Sequence, residues 1–81
     1  MTYTQITMLP TETRSREITE GKMIRLMSQI MLLKQAGENL EWHCIYTPDY
    51  LHVVRYELIR KHKDRTVVTH FIPNGEIEDF E

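Results

Sequence analysis

Cys44 and the four histidines, His43, His52, His62 and His70, are the side chains of this sequence best suited to chemistry. All lie in one stretch, EWHCIYTPDYLHVVRYELIRKHKDRTVVTHFIP, which runs from Glu41 to Pro73 and also holds Trp42. A thiol beside an imidazole serves either as nucleophile and base or as two metal ligands. Alternating runs on either side of Thr47-Pro48-Asp49 offer a way to bring them together. If Tyr46 pairs with Tyr50, Cys44 faces His52 and Trp42 faces Val54. His43 and His70 then point to the opposite face, and His62 stands at a loop tip. A zinc site needs at least three protein ligands, and this register does not assemble them. CxxC, HxxxH and HExxH spacings are missing, as are phosphate-binding glycine loops. Cys44 is better explained as ordinary packing, a small buried hydrophobe. The expectation is a non-enzymatic protein with no cofactor and no metal. A small enzyme built on Cys44 and His52 is the more distant alternative.

The second chemical feature is charge. Arg55, Arg60, Lys61, Lys63 and Arg65 crowd one segment in which only Glu57 and Asp64 are acidic. Glu76, Glu78, Asp79 and Glu81 follow with no basic residue among them. The total, −2 with a pI near 6.1, hides this polarity. Basic side chains neutralise phosphates and aromatic rings stack on unpaired bases, so Arg55, Arg60, Lys61, Lys63, Arg65 and Tyr56 form a candidate nucleic-acid surface. A pI this low is poor for that purpose, and no nucleic-acid-binding motif occurs. Lysines at a hairpin tip also discourage edge-to-edge aggregation. The preferred contact set for a protein partner is Arg60, Lys61, Lys63, Arg65, Glu76, Glu78 and Asp79.

These side chains need elements to position them. Tyr3 to Leu9 alternate as a short strand that Pro10 ends. Residues 10–16, PTETRSR, are polar and read as a connection. Met23, Leu26, Met27, Ile30 and Leu33 recur at helical spacing, with Ile24 and Met31 beside them, and predict a helix over 22–36. Thr19 or Ser15 caps its start, and Gly37 sits where a helix-ending glycine belongs. Residues 41–46, 50–60 and 65–72 then alternate as three strands, joined by the Pro48-Asp49 turn and the polar loop at 61–64. One sheet face carries Trp42, Cys44, Tyr46, Tyr50, His52, Val54, Tyr56, Leu58, Val67, Thr69 and Phe71, the better partner for the Met-rich helix. The other carries Glu41, His43, Arg55 and Glu57 among Ile45, Leu51, Val53 and Ile59. A slip of one residue exchanges the two faces.

The fold class expected is therefore α+β: one main helix on a small antiparallel sheet of about three to five strands. Eighty-one residues make a single domain, 1–81, with an acidic C-terminal tail expected to be mobile. The chain begins without the basic start and apolar run of a signal peptide, and it lacks the roughly 18 apolar residues of a membrane span. One cysteine fits a reducing compartment, so a cytoplasmic location with no membrane partner is expected. The helix, the Pro-Asp hairpin, the later strands and the terminal NGEIEDFE resemble the small YolD-like proteins of Bacillus-type bacteria over the last half of the chain. Tyr50 stands where that pattern has glycine, and no function is carried over from the likeness. A chain this short builds a small core, and one helix covers one sheet face. Apolar area left over must meet a neighbour. The reading is a regulatory interaction protein, an inhibitor or adaptor, with a protein partner preferred, a homodimer allowed, and nucleic acid as the alternative.

Overall fold

The structure is a computed structural model that describes residues 1–75. It consists of β1 (Thr2–Met8), β2 (Thr13–Thr19), α1 (Glu20–Gln35), β3 (Leu40–Tyr46), β4 (Val53–Lys61) and β5 (Thr66–Pro73). The strands form one antiparallel five-stranded sheet in the order β2-β1-β5-β4-β3, with the helix on one face. This is the α+β class the sequence predicts.

The polar segment after Pro10 is not a connection but strand β2. The Leu9 amide donates to the Glu12 carbonyl, so Pro10 and Thr11 alone make the turn, and Met8 already pairs with Thr13. The strand TRSREIT carries one buried residue, Ile18. An edge strand pairs on one side only, and its charged side chains reach water on either face. Apolar alternation was therefore never required of it, and the sequence signal was silent.

Thr19 closes β2 and caps α1 in one residue: its backbone is extended and its hydroxyl accepts from the Lys22 amide. At the other end Gly37 has φ +93°. The Gly37 amide donates to the Lys34 carbonyl and the Glu38 amide to the Leu33 carbonyl, which together satisfy the last turn. A side chain at this φ is strained, so Gly37→Ala is expected to lower stability by about 1 kcal/mol, measured as a shift in the urea midpoint. No such loss is expected for Gly21→Ala, where the space around a new Cβ is open.

The path of the helix decides what the sheet exposes. β2 and β3 are opposite edges, and α1 links them. It leaves from Thr19, whose partner is Thr2, and delivers the chain to Leu40, whose partner is Arg60. Arg60 pairs with Val67, beside the far end of β1 at Met8. The helix therefore crosses the sheet on a diagonal. A helix of this length spans about 24 Å, against about 19 Å across five strands. Met23 and Ile30 are buried under it, and Leu26, Met27 and Leu33 pack alongside, as the spacing predicts. Below them lie Tyr3, Ile18, Leu40, Leu58 and Phe71, with Trp42 and Tyr56 at the margin.

Candidate functional site

A diagonal helix leaves two corners of the sheet uncovered on its own side. Cross-strand registers show what each holds. Toward the end of β1 at Leu9, one row of neighbours runs Arg14, Thr7, Thr69, Leu58, Trp42, and the next runs Arg16, Gln5, Phe71, Tyr56, Cys44. The corner beside β2 is thus arginine-rich, and it opens toward Arg60, His62 and Arg65 at the same end of the sheet. The opposite corner holds Tyr56 and Val54, overhung by the loop 47–52 that carries Tyr50 and Leu51.

That loop is tightly organised. The Tyr50 amide donates to the Thr47 carbonyl at 2.8 Å, closing a turn over Pro48 and Asp49. The Thr47 amide donates to the His52 carbonyl, and the Thr47 hydroxyl accepts from the His52 amide. Asp49 accepts from the Thr47 hydroxyl and from the Leu51 amide. To complete this path Tyr50 takes φ +61°, the left-handed region that an L side chain enters at a penalty of about 1–2 kcal/mol. Tyr50 and Leu51 end up 77% and 74% exposed, with the rings of Tyr50 and Tyr46 6.1 Å apart.

The Asp49 carboxyl is held below its ordinary range, first by the Thr47 hydroxyl and then by the Leu51 amide. Glu41, bonded by His43 and Lys61, is shifted the same way. A carboxyl depressed in the folded state supports stability above its unfolded value of about 4 and loses that support as pH falls through the folded value. The thermal midpoint should therefore drop on acidification below about pH 4. Asp49→Asn should show a shallower drop than the wild type when midpoints at neutral and acid pH are compared.

Other expected site residues are dispersed. Cys44 stands opposite Tyr56, not His52, and Trp42 opposite Leu58, because the hairpin loop is longer than a Tyr46–Tyr50 pairing allows. As far as Ile45 the shift is four residues, an even number, so the faces are kept while the partners change; a bulge between Ile45 and Tyr46 makes it three at the pair Tyr46–Val53. Cys44 is exposed on β3, and His52 lies outside β4 beside Thr47, about 10 Å farther along the strand direction. The thiol–imidazole pair is not formed by this register. Among the described residues no three metal-ligating side chains converge.

The basic segment does not form one surface. Arg60 faces the helix side, whereas Arg55 and Lys61 are on the other face, paired with Glu57 at 2.7 Å and Glu41 at 2.9 Å. His70 also approaches Glu57 there, at 3.6 Å. Tyr56 is stacked on Trp42, with centroids 5.5 Å apart, and is half-buried. Lys63 and Arg65 lie in the loop between β4 and β5. Glu76, Glu78 and Asp79 fall outside the described residues. β5 runs away from the basic loop, so Gly75 sits at the opposite end of the sheet from Lys63.

The helix-free face holds Ile6, Met8, Ile45, Ile59, Val68 and Ile72 among these paired charges, and each is only half-buried. β1 joins the sheet itself and so covers neither face. The strongly exposed apolar side chains are elsewhere: Ile24, Met31 and Leu32 on the helix, and Tyr46, Tyr50, Leu51 and Val54 around the loop. Sequence reading missed Arg14 and Arg16 by taking β2 for a connection, and it placed Tyr50 and Leu51 inside a strand. The absence of glycine after Pro48-Asp49 was the available signal for the latter.

No protein-family model matches the chain, nor does any curated protein or solved structure, so the likeness to the YolD-like proteins rests on the turn and strand pattern alone. Among the described residues no helix is long and apolar enough to cross a membrane.

Proposed function

We propose that this chain is a non-enzymatic interaction protein, an inhibitor or adaptor, that binds a protein partner through the surface around loop 47–52. The observation that carries this reading is the pairing of exposure with rigidity at Tyr50 and Leu51. Two large apolar side chains project into water from a loop held by internal hydrogen bonds, at the expense of a strained tyrosine. Exposed tyrosines on ordered backbone make effective anchors, because little side-chain or loop entropy is lost on binding. Val54 and Tyr46 extend the apolar area, and the charged groups bias encounter and orientation.

The nucleic-acid reading has less support. Its basic residues divide between two sheet faces, two of them are engaged by carboxylates, and its tyrosine is already stacked on Trp42. Tyr46 and Tyr50, whose rings contact each other, stand at the end of the sheet opposite Arg60, Lys63 and Arg65. A cytoplasmic setting belongs to the same proposal, resting on one exposed, unpaired thiol.

The test is affinity capture from the native cell with nuclease treatment, using the wild type and Leu51→Ser side by side. The expected result is a protein retained by the wild type and lost with Leu51→Ser. If the captured protein is the chain itself, the interface is a homodimer. Loss of all retained material on nuclease treatment overturns the reading in favour of nucleic acid.

A further inference from the structure

We infer that the arginine-rich corner is a groove for an extended acidic segment of the protein partner, which seats carboxylates on guanidinium groups and an apolar side chain on the floor. The inference rests on the protein-partner reading and adds the chemistry of what binds.

The groove has a volume of about 470 Å³ and continues into a hollow of about 440 Å³ with which it shares Gln5, Thr7 and Leu9. Arg14 and Arg16 stand on one rim, Arg60 and Arg65 on the other. Among the described residues no carboxylate lines either part. Arg14 is bonded to Glu12, and Arg16 donates to the Gln5 side-chain oxygen at 3.2 Å. Among the described residues no carboxylate pairs with Arg60 or Arg65, so these two carry the larger share of the attraction.

Arg14 and Arg16 are on β2 and Arg60 on β4, three strand spacings or about 14 Å apart, with Arg65 in the loop after β4. An extended chain with side chains reaching to either side can engage both rims along the groove. Charge-assisted bonds from guanidinium to carboxylate are among the stronger polar contacts and suit the forked geometry of arginine. The floor between the rims includes Leu9 and Val67, and Leu26 and Leu33 form the helix wall. That lining favours an apolar side chain between the carboxylates. A single strand of nucleic acid fits less well, because it needs rings on which bases stack. Among the described residues two rings line the groove: Phe71, which is 2% exposed, and the imidazole of His62 in the loop after β4, so one ring alone is open to stacking.

The test uses the full chain and fluorescein-labelled decapeptides of Glu with Leu at every third position, the same design with Lys for Glu, and a thymidine decanucleotide. The Glu/Leu peptide is expected to bind saturably, more tightly than the other two, and to shift the amide resonances of Thr7, Leu9, Gln29 and Val67. Arg60→Gln with Arg65→Gln should weaken it by about tenfold or more without changing the thermal midpoint. Lys61→Gln, on the other face, should change it less than about twofold. Tighter binding of the oligonucleotide, equal binding of the Lys peptide, or indifference to the arginine pair each overturns the inference. If the peptide fails while partner capture still depends on Leu51, the groove assignment alone falls. If the peptide binds but capture yields no protein, the protein-partner reading falls.

Discussion

Phe71→Ala is expected to remove about 3–5 kcal/mol of stability, a large share of what holds the fold together. Phe71 lies on β5, the central strand, between Gln5 and Tyr56, and is 2% exposed. Its ring is 5.9 Å from that of Trp42, which in turn stacks on Tyr56. Removing a buried phenyl ring costs about 3–5 kcal/mol, from lost burial and from the cavity left behind. A domain of this length is stable by only about 4–12 kcal/mol in total. The neighbours have little freedom to close the gap, because β5 is hydrogen-bonded on both sides. Trp42, the only tryptophan, provides the reporter. Urea titration followed by its fluorescence should show the transition moved to much lower denaturant. A loss below about 1 kcal/mol would mean that the aromatic cluster is not the centre of the fold.

The second large effect separates function from stability. Tyr50→Gly is expected to abolish partner binding while leaving the fold as stable as before, or more stable by up to about 1 kcal/mol. Glycine occupies φ +61° without steric penalty, which relieves about 1–2 kcal/mol, and it gives back part of that through a more flexible unfolded chain. The ring it removes is largely in water and contributes little to the monomer. In an interface, by contrast, truncation of a central tyrosine typically costs about 2–4 kcal/mol, a loss of about thirtyfold to a thousandfold in affinity. Thermal midpoints and retention of the captured partner, measured on the same preparation, check both halves. If Tyr50→Gly destabilises the fold and binding persists, the strained tyrosine serves the loop and not a partner.

What could be read from the sequence follows from which segments are forced to bury something. Met23, Leu26, Met27, Ile30 and Leu33 must face a core, so the helix was visible in their spacing. The three later strands announced their faces by alternation, and Trp42, Tyr56, Leu58, Thr69 and Phe71 do face the helix. Strand β2 carries no such obligation beyond Ile18, and nothing in TRSREIT distinguishes an edge strand from a polar linker. The hairpin partners were misassigned because alternation fixes parity and leaves the loop length free. An even slip preserves the faces from Leu40 to Ile45 while replacing His52 with Tyr56 opposite Cys44, and the bulge before Tyr46 breaks the parity beyond it. The candidate site depends on both of these hidden features. Arg14 and Arg16 matter only once β2 exists, and Tyr50 and Leu51 become prominent only once the loop is long. The diagonal course of the helix emerges from strand order, which composition and periodicity do not encode.

The account stands on those two uncovered corners being the surface that meets the partner. Hydroxyl-radical footprinting of the chain, free and bound to its captured partner, tests this at the level of side chains. Tyr50, Leu51 and Leu9 should be shielded in the complex, while Met8 and Ile59, on the helix-free face, should react as they do in the free chain. Shielding of Met8 and Ile59 with Tyr50 and Leu51 left reactive would place the partner on the helix-free face and contradict binding through the two uncovered corners.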